Sequence, residues 1–192
     1  MQLKALLVND DLERSNLIRQ ALRACGHEVV SDVPTGSDLP AAVGSHNPDL
    51  LVIDSAVPGN TLLAGLRELA LQSPLPVVLF TGEARPEVIH RAVRAGVSAY
   101  VVDGFEPRRI GSIVNVALAR FSETEHLRRE LAQTRANLVE RKTVERAKGI
   151  LMKQRGFDEP QAYHALRKMA MDRNLRIGQV AENVIAVAEL LN

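Results

Sequence analysis

Five short apolar runs recur along the first hundred residues, and segments of helical spacing lie between them. Leu3–Val8 is nearly continuous in apolar side chains and closes on Asn9-Asp10-Asp11. Runs of this kind, without polar alternation, mark strands buried on both faces of a parallel sheet. Leu12–Ala24 follows with Leu17, Ile18, Ala21 and Leu22 at helical spacing, and Gly26 sits where a helix stops. Val29–Val33, Leu50–Ile53 ending at Asp54, Val77–Phe80 ending at Thr81, and Ala99–Val102 are the remaining strand candidates. Ser37–Ser45, Thr61–Leu71 and Pro86–Ala95 predict the intervening helices. Strands alternating with helices over residues 1–120 predict an α/β doubly wound, flavodoxin-like domain.

The pattern changes after Pro107. No Pro occurs again until Pro160, so Arg108–Arg155 predicts one long helix or two abutting ones, ended by Gly156. Leu127, Leu131 and Leu138, with Thr134 at the intervening position, have the spacing of a coiled-coil seam. Arg141 and Glu145 continue the seam and keep it short. Asp158-Glu159-Pro160-Gln161 reads as a helix start, with Pro in the first turn and Gln reaching back to the cap. Tyr163–Met171 and Val180–Leu191 predict two further helices. The expected organisation is therefore a 1–120 domain, a coiled-coil linker at 121–140 and an all-α three-helix module at 141–192. Inward positions of that module would be Val144, Ala147, Ile150 and Leu151, then Ala162, Ala165, Leu166 and Met169, then Val180, Val184, Val187 and Leu191.

Composition narrows the class. Apolar residues make up 46%, which argues against wholesale disorder. No apolar run has the length of a spanning helix, Cys25 has no partner for a disulfide, and no Cys/His set has zinc spacing. The expectation is a cytoplasmic protein without membrane contact. Charge is divided unevenly: residues 1–120 hold 11 Lys+Arg against 13 Asp+Glu, whereas 135–176 hold 11 against 5. An acidic front and a basic back point to modules with different partners. With aromatics at 3% and no Trp, any nucleic acid would be met by helices and cations rather than a base-stacking sheet.

Candidate chemistry follows from position. Asp10 and Asp11 end the first strand, Asp54 the third and Thr81 the fourth. A lone strand-end Asp is a turn former or a cap. In the strand order 2-1-3-4-5 the first and third strands are neighbours, so these acids converge at the carboxyl edge, where such sheets hold ligands. Three crowded carboxylates invite a hard divalent cation, and magnesium is apt. Asp54 could then act as an acyl-phosphate nucleophile, with Thr81 donating to a phosphoryl oxygen.

Leu7–Asp11, Leu51–Asp54 with Pro58, Phe80-Thr81-Gly82 and Ala95–Val102 together resemble the receiver domain of bacterial two-component response regulators. The resemblance implies magnesium on Asp10, Asp11 and Asp54, phosphoryl transfer to Asp54, and switch roles for Thr81 and Tyr100. One position departs from it. Asp103-Gly104 stand where the family places a Lys after the fifth strand. A carboxylate there repels a phosphorylated Asp54 instead of stabilising it. This favours a protein partner or ligand relay over ordinary phosphorylation as the input.

Residues 141–152 form the densest cationic stretch. The cations expected outward are Arg146, Lys148, Lys153, Arg155, Arg167, Lys168, Arg173 and Arg176. A charge run on a helix is commonly a solvated face, but the excess here points to an anionic partner. Ala147–Met152, Gly156, Ala165-Leu166-Arg167, Ala170-Met171 and Val180-Ala181 resemble the ANTAR domain of antitermination regulators. That resemblance implies binding of paired hairpins in leader mRNA, and looks closest to the nitrate/nitrite-responsive antiterminators. It implies control by a nitrate-sensing inhibitory protein or a histidine kinase, and no enzymatic activity. The expected RNA contacts are Arg146, Lys148, Gly149 (which permits close backbone approach), Arg167, Arg173 and Asn174. A homodimer through the coiled coil would grip two loops at once. The alternative is a DNA-binding two-component response regulator.

Overall fold

The computed structural model describes residues 2–190, with Leu190 described by its backbone only. The chain divides into two compact units, Met1–Glu125 and His126–Asn192.

The first unit is built on five parallel strands, β1 (Lys4–Val8), β2 (Glu28–Val33), β3 (Leu50–Asp54), β4 (Val77–Thr81) and β5 (Ala99–Val102). Their order is β2-β1-β3-β4-β5, the order taken for the flavodoxin-like reading. Helices α1 (Leu12–Ala24), α2 (Leu39–His46), α3 (Asn60–Gln72) and α4 (Pro86–Arg94) connect them. A 3-10 turn at Pro107–Arg109 then leads into α5 (Ile110–Arg155). The continuous apolar runs are explained by two cores, one on each face of the sheet. Leu6, Val8, Leu51, Ile53 and Leu79 meet Leu39, Leu63, Leu66 and Ala92 on one side. Ala5, Leu7, Leu50, Val52, Val78 and Phe80 meet Ile18, Leu22, Ile110 and Val114 on the other. Because successive strand residues point to opposite faces, a strand covered twice must be apolar at every position. The β1–β3 register pairs Val8 with Ile53, which brings Asp10, Asp11 and Asp54 to the same edge.

The second unit holds the last turns of α5, α6 (Glu159–Arg173) and α7 (Ile177–Leu190). Gly156, at φ +68°, takes the left-handed backbone that ends α5. Asp158 Oδ1 accepts from the Gln161 backbone N–H at 2.7 Å, and Gln161 Oε1 accepts from Asp158 N–H at 3.0 Å, a reciprocal cap for α6. The core joins Val144 and Ala147 to Leu166 and Ala170 and to Val180, Ala181 and Ile185. Two inward assignments are corrected. Val187 is 56% exposed, and Ile185 and Ala188 take its place; Ala165 is only half-buried. Leu191, also expected inward, lies outside the described residues. Residues 126–140 of α5 are exposed throughout, including Leu127, Leu131 and Leu138.

Candidate functional site

The carboxyl ends of β1, β3 and β4 open onto a cavity of about 820 Å³, lined among others by Asp10, Asp11, Arg14, Asp54, Thr81 and Asp103. Three of its four acids are engaged by protein donors. Asp11 caps α1, accepting from Glu13 N–H at 2.9 Å and Arg14 N–H at 3.2 Å. Asp10 accepts from the Thr35 backbone N–H at 2.9 Å and from the Thr35 hydroxyl, and these bonds hold its carboxyl below the usual range. Asp54 is 6% exposed. Its two oxygens accept from Arg14 Nε at 2.5 Å and Nη2 at 2.9 Å, a bidentate pair. That hydrogen bonding raises the Arg14 guanidinium further above its ordinary pKa.

Thr81 lines the cavity with Asp54, and the hydroxyls of Thr81 and Tyr100 are bonded to backbone groups. The Thr81 hydroxyl donates to the Ala56 carbonyl at 2.9 Å and accepts from Glu83 N–H. The Tyr100 hydroxyl donates to the Glu83 carbonyl at 2.8 Å, and burial is the main cause of its raised pKa. Asp103 has a left-handed backbone at φ 46° and adds a fourth carboxylate to the cavity lining. The donor set as it stands does not fit a magnesium ion. Both oxygens of Asp54 and of Asp10 are taken by protein donors. Among the described residues no group of three His, Cys, Asp or Glu side chains is placed to hold a metal. The expected three-carboxylate ligand set is thus not assembled. Sequence reasoning missed Arg14, whose partner lies forty positions away and becomes adjacent only through the β1–β3 pairing.

In the second unit one expected contact is corrected. Lys148 is not an outward cation: it is 6% exposed. Its ammonium donates to both oxygens of Glu145 at 2.9 Å and to Glu159 at 2.7 Å. The bond to Glu159 is the first cause of its raised pKa, and Glu159 is lowered in turn. Arg146 is exposed but paired with Glu189 at 2.6 Å. Gly149 is exposed, with open space where a side chain would stand. Arg167, Arg173 and Asn174 are exposed, and Asn174 ends α6 in a left-handed conformation at φ 53°. Of the Lys and Arg residues between 141 and 176, Arg141, Lys142, Lys153, Arg155, Arg167, Lys168, Arg173 and Arg176 have no ion pair among the described residues. Sequence reasoning also missed Tyr163, which is 48% exposed one helical turn before Arg167, with Met171 73% exposed one turn after it. The signal was available: an aromatic at i and a cation at i+4 share a helix face.

A doubly wound sheet with an acidic carboxyl edge, followed by a three-helix basic unit, defines a response regulator with a receiver domain and a helical output domain. The response regulator receiver domain family matches residues 5–115 and the ANTAR domain family matches 132–185, so the chain belongs to the receiver–ANTAR response regulators. It is 31% identical over 182 residues to the transcriptional regulatory protein PdtaR of Mycobacterium tuberculosis, spanning 95% of this chain and 89% of that one. A nitrate regulatory protein of Klebsiella oxytoca is 44% identical over 68 residues, 35% of this chain and 17% of its own. The crystal structure of a CheY-like receiver domain protein from Methanospirillum hungatei matches with a TM-score of 0.55 at 22% identity, over 65% of this chain and 99% of that one, which shows the fold. NtrX from Brucella abortus matches with a TM-score of 0.54 at 29% identity over 70% of this chain, which spans 30% of that structure's length. Receiver domains of this family generally bind magnesium in the acidic site. No helix among the described residues is long and apolar enough to cross a membrane.

Proposed function

We propose that this chain is a transcription antitermination regulator that binds paired hairpins in leader mRNA. The carrying observation is the set of eight exposed Lys and Arg side chains between 141 and 176 that have no carboxylate partner among the described residues. Cations left unneutralised on a folded surface are the electrostatic footprint of a polyanion. A-form stems hide their bases in a deep groove, so base reading falls on unpaired loop nucleotides. Arg167, Arg173 and, beside its own ion pair, Arg146 meet phosphates, while Gly149 lets backbone approach and Asn174 meets a base edge. Tyr163 is added here as a platform on which an unpaired base stacks. Lys148 contributes by holding the start of α6 on α5 rather than by touching RNA.

The similarity to the Klebsiella oxytoca nitrate regulatory protein supports nitrate or nitrite assimilation genes as targets. The working divisions are a receiver at 1–120, a coiled-coil linker at 121–140 and the RNA-binding module at 141–192. Leu127, Leu131 and Leu138, each more than half exposed, support a homodimer in which two modules engage two hairpins. The protein acts as a non-enzymatic regulator in the cytoplasm, where transcripts emerge. Its input is a nitrate-sensing inhibitory protein or a histidine kinase acting on the receiver. The decisive experiment is competition between a two-hairpin leader RNA and a palindromic DNA duplex for the full chain. Preference for the RNA supports this reading; preference for the duplex establishes a DNA-binding response regulator instead.

A further inference from the structure

We infer that Arg14 is a built-in cation that takes the place of a metal ion in the receiver pocket. Four carboxylates line that cavity, those of Asp10, Asp11, Asp54 and Asp103, and Arg14 is the one Lys or Arg among the lining residues described. The side chain of Asp54 is 7% exposed, and a carboxylate so placed needs a cation or several donors. The Arg14 fork supplies both at once, covering both Asp54 oxygens. A divalent ion would need one of those oxygens, and it would meet a permanently charged guanidinium already seated on them. Of the remaining acids, Asp10 is turned to Thr35 and Asp11 gives one oxygen to the α1 cap. Asp103, where the family carries its own cation, increases the negative charge that Arg14 must offset.

Asp54 is thereby neutralised by the chain itself and is closed to magnesium. This holds whether or not the second unit binds RNA. It also explains how the receiver tolerates a carboxylate at position 103: the cation has moved from the end of β5 to the first turn of α1.

The test is calorimetric titration of magnesium chloride into the full chain and into Arg14→Gln, with sodium chloride at matched ionic strength as the blank. Wild type is expected to give no saturable heat, whereas Arg14→Gln frees the acids and binds magnesium at least about tenfold more tightly. Thermal melts check that the variant is folded, and magnesium should raise the melting temperature of the variant only. Arg14→Lys, which keeps the charge without the fork, is the second variant and should fall between the two. Equal saturable binding by wild type and Arg14→Gln overturns the inference. So does failure of the folded variants to bind, which would mean that the acids hold no metal even when released.

Discussion

The contrast between Arg167 and Lys148 gives the sharpest test of how the second unit meets RNA. The two cations belong to the same unit, but Arg167 is exposed with no ion pair among the described residues and Lys148 is closed on Glu145 and Glu159. Each phosphate neutralised on single-stranded nucleic acid contributes about 0.7 to the slope of log affinity against log salt. A fourfold rise in salt therefore weakens binding by about 2.6-fold for every contact made. Losing one contact through Arg167→Gln should lower the slope by about 0.7 and make the fourfold salt penalty about 2.6-fold smaller. If all eight unpaired cations reached phosphate, the slope would approach about −6, which sets a ceiling. Lys148→Met removes a charge that is already neutralised inside the unit, so the slope should stay where it is. Fluorescence anisotropy of a labelled two-hairpin RNA, titrated across a range of potassium chloride concentrations, measures all three proteins. A slope reduced by Lys148→Met as much as by Arg167→Gln would refute the reasoning, because it would show the buried ammonium released to RNA.

Three further expectations follow from other parts of the chain. Leu166 is fully buried between three helices, so Leu166→Ala should cost about 2–5 kcal/mol and lower the melting temperature of the second unit, measured by calorimetry. Hydrogen bonds from Arg85 hold Glu83 at about 2, below its ordinary 4.5, so its contribution is present above pH 4.5 and is lost as pH falls towards 2; an Arg85→Ala variant should show a shallower decline in melting temperature across that window. Leu131 is 51% exposed in the proposed seam, so Leu131→Lys should shift sedimentation at fixed concentration from dimer towards monomer without changing helix content by circular dichroism.

What the chain revealed before folding, and what it hid, divides along the range of the interactions. The five strands are legible because burial on both faces writes an unbroken apolar run into each, whereas α/β alternation leaves their order to be supplied by the flavodoxin-like reading. The cap at Asp158 is legible because all its partners lie within three residues. Lys148 was misread because a helical wheel shows which side of α5 it occupies but not what arrives there. Glu159 reaches it only after the chain turns at Gly156. Val187 was misread for a different reason. Helix α7 carries Val180, Ala181, Val184, Ile185, Val187 and Ala188, so several phases are almost equally apolar and only the facing helices choose among them. Arg14 was invisible because its meaning depends on a carboxylate on another strand.

Charge is therefore handled in opposite ways in the two units, and that difference carries the functional argument. In the receiver, the buried acid at the end of β3 is met by a donor from the same chain, so Asp54 is paired without importing an ion. In the helical unit, eight cations between 141 and 176 have no ion pair among the described residues and stand in water, where leaving them exposed costs little. An unmet surface charge has little effect on stability but lends salt-dependent affinity for a polyanion. A paired buried acid has the reverse character: Arg14 covers both oxygens of Asp54 that any reaction there would use. If Arg14 stands in for the metal as inferred, a partner that acts at Asp54 must first displace it.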